Sequence, residues 1–381
     1  MALRLKMWFA RMCQYLLYFF VPLRKNRIMF YAHNRKGYVC NPKYLLSHIL
    51  QREPGRYELF WVSCFPDSCE PMDGVTVVAR RSFAYFFVFI RTKYFITNDM
   101  VDENLVKKKG QVFISTWHGG GAYKKVGIET SGENAEISKY FGRWYRRLDH
   151  FVSSCRVCTE LYSEAFGLDK NKFWEIGTPR NDLLFKNQPP VRQKVLNHYH
   201  LPVGTKLLLF APSFKQEESA EWTAAADEWA EVIRGLDQME TDGTAWAVLY
   251  RTHYFRTAPE MPENSRMLNG NDHYDMQELL CAADILITDF SSSIWDFSLM
   301  GKPVFLLGRE LREYEQNDRG FFITPDKWPY MRVDEVTEIP SLLSNIDMDE
   351  LRDAYEEHFD YMGSFETGNA CQQFMDLLRN S

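Results

Sequence analysis

Residues 115–127 read STWHGGGAYKKVG. A strand-like run ends in one histidine, His118, followed by Gly119, Gly120 and Gly121 and then by Lys124 and Lys125. Histidine ordinarily titrates near pH 6.5, so it can take or give a proton near neutrality. Glycine carries no Cβ and lets backbone approach a ligand closely. The stretch can therefore hold a catalytic base beside a close-approach loop. Its plain reading is a hydrogen-bonded histidine before a turn with solvated lysines, and this stretch alone leaves both readings open.

Further polar groups stand just after apolar runs. Thr178, Pro179, Arg180 and Asn181 follow FWEI; Pro212, Ser213 and Lys215 follow LLLFA. Arg251 and His253 end AWAVLYR, and Asp289, Ser291, Ser292 and Ser293 end DILIT, with Asp296 four residues past Ser292. Each has an ordinary reading as a turn or helix cap. Their repetition at equivalent strand ends points to a shared ligand. Backbone amides, serines, arginines and lysines together suit phosphate.

Several chemistries lose support. The chain has no GxxxxGK[ST] loop and no GxGxxG after its first strand, which argues against ATP hydrolysis and simple dinucleotide binding. HGGG is similar to the oxyanion-hole segment of lipases, but no G-x-S-x-G nucleophile elbow exists to match it. No acidic constellation prepares a metal site, so no resident cofactor is expected, at most a loosely bound divalent cation. Cys155 and Cys158 form a CxxC without a second pair, and read as two core or helix-surface thiols. The eight cysteines show no disulfide rhythm and no signal peptide precedes them, so reduced thiols in a cytoplasmic protein are expected.

The elements that must position these groups alternate. Apolar runs of strand length occur at 27–32, 58–63, 74–79, 93–97, 111–116, 150–154 and 173–177, and again at 206–213, 245–251, 284–292 and 302–307. Residues 82–91 read as a buried helix, and 221–236 and 275–283 as helices. Near-continuous apolar strands separated by helices indicate parallel sheets covered on both faces. With 381 residues and 45% hydrophobic content, two cores can form. Pro189 and Pro190 within 187–194 mark a linker. The predicted fold is α/β, two Rossmann-like doubly wound domains facing a cleft. The division is a membrane-proximal segment at 1–26, an acceptor-side domain at 27–190 and a donor-binding domain with C-terminal helices at 191–381. Ligands of such sheets bind beyond the carboxyl ends of the strands.

The net charge of −6 argues against nucleic acid as a partner. The first 27 residues nevertheless hold Arg4, Lys6, Arg11, Arg24, Lys25 and Arg27 and no acid. Residues 7–23, MWFARMCQYLLYFFVPL, are aromatic but interrupted by Arg11 and Gln14 and stopped by Pro22. That falls short of the ~20 apolar residues of a spanning helix. It fits an amphipathic, membrane-associating helix lying on an anionic membrane surface; an ordinary packed helix is the plain alternative.

Taken in order, KYFITND, STWHGGGAYKKVG, GTPRNDLLF, APSF, YRTHYF, DILITDFSSSIWDFSLMGKPVFLL and REYEQNDRGFF resemble the CDP-glycerol glycerophosphotransferase family, the teichoic acid primases and polymerases. The resemblance runs from about residue 90 to residue 325. It implies a glycosyltransferase B type fold and a peripheral enzyme at the cytoplasmic face of the membrane. The implied reaction moves glycerol phosphate, or a related alditol phosphate, from CDP-glycerol to a lipid-linked glycan or glycerophosphate acceptor, releasing CMP. The family's W-H-G histidine, the implied base, is His118; its R-x-H segment maps onto Arg251, Thr252 and His253. Its D-[YF]-S-S-x-x-x-D segment maps onto Asp289, Phe290, Ser291, Ser292 and Asp296, and its R-G-F segment onto Arg319, Gly320 and Phe321. With these, Ser213, Thr178, Pro179, Arg180 and Asn181 are expected on the donor side. Gly119, Gly120, Gly121 and Lys124 are expected on the acceptor side. The chain departs from W-H-G-T at Gly120, Gly121 and Ala122, and Tyr254 replaces a frequent proline, which leaves acceptor and polyol open. A sugar-nucleotide glycosyltransferase of the same fold and a non-catalytic membrane-surface scaffold are the rival readings. Oligomeric state is not legible.

Overall fold

The computed structural model describes residues 2–32, 37–66, 72–100, 104–130, 142–186, 188–212, 226–240, 243–252, 261, 265–273, 275–308 and 320–381. The chain forms two compact units. The first comprises 1–118, 126–182 and 365–381; the second comprises 119–125 and 183–364.

The first unit is built on seven parallel strands: β1 (Arg24–Tyr31), β2 (Glu58–Ser63), β3 (Val75–Ala79), β4 (Thr92–Thr97), β5 (Val112–Ser115), β6 (His150–Ser153) and β7 (Phe173–Glu175). Their order is β3-β2-β1-β4-β5-β6-β7. The strand order reverses between β1 and β4, the place where doubly wound sheets open a crevice. Side chains alternate across each strand. Ile28, Phe30, Trp61, Ile96, Ile114 and Trp174 therefore share a buried face. Helix α1 (Ala2–Leu17) precedes the sheet, and α2 (Cys40–Arg52) covers that face with Leu45, Leu46 and Ile49. Helix α3 (Phe83–Arg91) covers the opposite face, where Phe89 meets Phe95 and Phe113 at ring distances of 5.7 Å each. Helix α4 (Arg156–Phe166) starts at Cys155, whose Sγ accepts the Cys158 N–H at 3.3 Å. The CxxC is thus a buried helix cap, and burial raises the Cys158 thiol pKa well above its ordinary value.

The second unit opens with α5 (Pro189–His198) and has six parallel strands: β8 (Lys206–Phe210), β9 (Trp246–Tyr250), β10 (Met267–Asn269), β11 (Ile285–Thr288), β12 (Val304–Leu307) and β13 (Met331–Val333). Their order is β10-β9-β8-β11-β12-β13, the same winding as the first six strands of the other unit. Helix α6 (Ala226–Met239) lays Trp229, Val232, Ile233 and Leu236 on the sheet, the i, i+3, i+4, i+7 stripe of a core-facing helix. Helices α7 (Met276–Ala282), α8 (Ser293–Ser298), α9 (Ile339–Ser344), α10 (Met348–Met362) and α11 (Ala370–Arg379) follow.

Two parallel-sheet α/β units are thus present, and the strands read from the sequence all appear, most of them shorter. Three differences have physical causes. Pro189 and Pro190 occupy the first turn of α5 instead of a linker, because proline's fixed φ suits that position. The three-residue edge strands β10 and β13 are too short to show a pattern. Residues 365–381 pack in the first unit rather than the second. Cys371, Phe374, Met375 and Leu378 of α11 join the core face covered by α2.

Asp182 fixes that return. Its carboxylate accepts the Ala370 and Cys371 N–H groups at 2.8 and 2.9 Å, capping α11 from a distant turn. Asp182→Ala is expected to lower unfolding stability by about 1–3 kcal/mol in a urea titration. An unchanged midpoint would show that α11 is held by its apolar stripe alone.

Candidate active site

In the first unit, β4 and β5 end side by side and deliver Asn98 and His118. The Thr116 N–H donates to the Thr97 carbonyl at 2.7 Å, extending the pairing one residue past β5. His118 lies exposed, with Nδ1 3.0 Å from the Asn98 carbonyl oxygen. A carbonyl only accepts, so Nδ1 carries the proton of a neutral ring and Nε2 is its basic nitrogen. The imidazole stacks on Trp117, centroids 4.5 Å apart. Trp117 itself packs against Phe151 and Phe166, at 5.9 and 5.1 Å.

This arrangement has a backbone cost. Trp117 has φ +50°, the left-handed region, which costs of order 1–3 kcal/mol for a non-glycine residue. Asn41, fully buried, offsets it: Nδ2 donates to the Thr116 and Trp117 carbonyls, both at 2.9 Å. Its Oδ1 accepts the Arg180 N–H at 3.0 Å. The Arg180 guanidinium, also buried, donates to the His118 carbonyl at 2.8 Å and to Cys40 Sγ at 3.2 Å. The strand-end turn is thus held at three consecutive carbonyls.

The GTPRND group therefore belongs with His118. Thr178 donates its N–H and Oγ1–H to Glu366, at 3.0 and 2.7 Å, and Asn181 Nδ2 reaches the same carboxylate at 3.2 Å. The Pro179 carbonyl accepts from Cys371 Sγ at 3.4 Å. Expected as donor ligands, Thr178, Pro179, Arg180 and Asn181 instead have polar atoms engaged inside the first unit. That gives the group a positioning role. Asn41, Asn98 and Glu366 escaped sequence reading. Asn41 carries only the weak signal of Asn-Pro at a helix start, and Glu366 is 188 positions from its partner Thr178.

At the His118–Gly119 bond the chain passes into the second unit. A Cβ on Gly120 would stand 2.2 Å from the Trp295 ring, and one on Gly121, at φ +76°, would stand 2.3 Å from the Tyr123 ring. Gly120 and Gly121, expected on the acceptor side, make room within the second unit for the protein's own indole and phenol. Tyr123 anchors the segment. Its hydroxyl lies 2.9 Å from both Tyr330 Oη and His358 Nε2, and its ring stacks on His358 at 5.8 Å. The Lys125 N–H donates to the Gly320 carbonyl at 3.2 Å, and Lys124 forms a β-bridge with Phe321.

Elsewhere in the second unit, the Arg251 guanidinium donates to the Gly270 carbonyl at 2.9 Å and to the His273 carbonyl, tying the end of β9 to the loop after β10. Burial pulls its pKa below the ordinary arginine value. Asp289 and Asp296 are buried, and Ser293 Oγ donates to Ser291 Oγ at 3.0 Å. Ser292 stands at the start of α8 without a side-chain cap bond. A cavity of about 320 Å³ opens beside Phe290, lined by Leu306, Gly308, Pro325, Arg332, Asp334 and Glu338. It sits at the carboxyl ends of β11, β12 and β13. Ser213, Lys215, His253 and Arg319 lie outside the described residues.

His358 supplies a pH test of the Tyr123 anchor. Burial lowers its pKa from about 6.5 to about 4. The unfolded state then binds a proton that the native state refuses. Stability contributed by neutral His358 is full above pH 6.5 and is lost as pH falls toward 4, by up to about 3 kcal/mol. His358→Gln is expected to flatten that part of the stability profile relative to the parent protein. Identical slopes between pH 6.5 and 4 would contradict the anchor's assignment.

The chain is similar to known proteins in sequence and in fold. The chain is 25% identical over 375 residues to a teichoic acid poly(glycerol phosphate) polymerase of Staphylococcus epidermidis, covering 93% of this chain and 51% of that protein. It spans about half the length of that relative. It is 26% identical over 366 residues to a teichoic acid glycerol-phosphate transferase of Staphylococcus aureus, covering 93% of each. Among solved structures, a variant of the wall teichoic acid polymerase TagF soaked with CDPG superposes with a TM-score of 0.85 at 24% identity. That match covers 97% of this chain and 92% of the other, a likeness of fold. A sequence model of one family matches residues 13–380, and the chain belongs to that family, CDP-Glycerol:Poly(glycerophosphate) glycerophosphotransferase.

Proposed function

We propose that this chain transfers glycerol phosphate, or a related alditol phosphate, from CDP-glycerol to a hydroxyl of a lipid-linked acceptor and releases CMP. The observation that carries the reading is His118, held by the Asn98 carbonyl as a base at Nε2, within a family whose named activity is glycerophosphate transfer. Nε2 takes the acceptor hydroxyl proton as that oxygen attacks the donor's β-phosphorus. The bond from that phosphorus to the oxygen bridging the two phosphates breaks, and CMP departs with the electron pair. Such transfers need little covalent help, so positioning and charge neutralisation supply most of the rate.

The donor's phosphates fall to the second unit in this reading, to His253, Arg251, Arg319, Ser213 and the Asp289–Asp296 segment. The cavity beside Phe290 supports it, because it lies at the carboxyl ends of strands, where ligands of such sheets bind. Two sheets of the same winding support membership of the glycosyltransferase B fold class.

Peripheral attachment to the cytoplasmic face of a membrane is part of the proposal. Helix α1 and the turn after it expose Trp8, Phe9, Leu16, Phe19 and Phe20, the last two at 85% and 84%. Gln14, the polar interruption, is turned inward, donating to the Asn104 carbonyl and accepting the Val106 N–H. So much apolar surface on one short helix calls for an apolar partner. No described helix is long and apolar enough to cross a membrane.

His118→Ala is expected to retain its circular dichroism spectrum and to release CMP from CDP-glycerol about 10²- to 10⁴-fold more slowly. Turnover within a few-fold of the parent protein would remove His118 from the mechanism.

A further inference from the structure

A cavity of about 640 Å³ in the first unit, between α1 and the residues leading into β6, has none of the groups described around His118 in its lining. Four cations line it, Arg11, Lys107, Arg143 and Arg147, and among the described residues no acid does. Two are fixed in the wall. Lys107 Nζ contacts Asp149 Oδ2 at 2.6 Å and the Arg147 carbonyl at 2.7 Å, and Arg147 donates to the Leu105 carbonyl. The other two, Arg11 and Arg143, are exposed at the rim and make no ion pair with a described residue. Tyr15, Tyr18, Phe19, Leu105, Val106 and Trp144 complete the described lining. Arg11 lies over the Tyr15 ring at 6.0 Å, which directs its charge along the helix surface.

Cations with no acid among the described lining residues fit an anion, and the aromatic side of the cavity runs into the exposed apolar residues of α1. We propose that this cavity seats the phosphate headgroup of an anionic membrane phospholipid, with the acyl chains leaving along the exposed face of α1. The inference rests on the reading that α1 lies on a membrane. It adds a discrete site to what would otherwise be diffuse attraction. Diffuse attraction treats all exposed cations of one face alike. A seat distinguishes Arg11 and Arg143 from other exposed cations of the same unit, such as Lys25 and Arg52.

Short-chain dihexanoyl lipids, kept monomeric, separate these cases by titration calorimetry and by the fluorescence of Trp144. The full chain is expected to bind dihexanoyl phosphatidylglycerol saturably, one per chain, and the phosphatidylcholine analogue roughly tenfold or more weakly. Arg11→Gln/Arg143→Gln is expected to lose about tenfold or more in affinity, while Lys25→Gln/Arg52→Gln retains the parent value. Non-saturable binding, equal binding of both lipids, or equal losses in both double variants would overturn the seat. Displacement by inorganic phosphate at matched concentration would also overturn it, by showing a plain anion site. Sedimentation with phosphatidylcholine vesicles with and without phosphatidylglycerol separates the two levels of the argument. Failure of the parent protein to sediment with either refutes membrane attachment and the seat with it. Sedimentation that both double variants share equally with the parent protein refutes the seat alone.

Discussion

One side-chain amide carries the geometry of the candidate site. Asn41 is fully buried, and its two donors and its acceptor are used on Thr116, Trp117 and Arg180. A buried amide with every atom bonded is stabilising, whereas one left partly unbonded costs of order 1–3 kcal/mol. Asn41 and the strained Trp117 backbone therefore hold each other: the amide is satisfied only while the strand end keeps its left-handed turn. Arg180 extends the hold to the carbonyl of His118. The imidazole can then be exposed for chemistry and still be oriented, since its own backbone and its Nδ1 are both fixed.

The hold is assembled from parts distant in sequence, and it ends abruptly. Glu366 and Asp182 knit the turn that carries Arg180 to α11, so the last helix of the chain supports a histidine near its first third. One residue after His118, the backbone belongs to the other unit, and there it is fixed by Trp295, Tyr123, Tyr330 and His358. Two glycines make that possible because any Cβ would enter an aromatic ring. Gly120 and Gly121 thus have a packing reason within the second unit.

Much of the fold was legible in the sequence, for a physical reason. Strands buried on both faces must be apolar throughout, so β1, β2, β4, β8 and β11 show as runs without needing long-range information. His118 was legible because a lone histidine between a strand and a glycine run is a local feature. What was not legible is pairwise and remote. Nothing near Asn41 or Glu366 announces partners 75 and 188 positions away. Pro189 and Pro190 illustrate a local ambiguity: proline breaks patterns both in linkers and at helix starts, and only packing decides. A glycine run marks a place of close approach, but the local sequence does not say what approaches; within the protein it is the Trp295 ring at Gly120 and the Tyr123 ring at Gly121.

The central claim is that the protein presents Nε2 of His118 as its base by placing the proton on Nδ1. Nitrogen chemical shifts of the His118 ring, from protein carrying ¹⁵N-labelled histidine and assigned with a His118→Gln variant, report the tautomer directly. Above the ring's titration, the account predicts a protonated Nδ1 and an unprotonated Nε2. A neutral ring with its proton on Nε2 would contradict it.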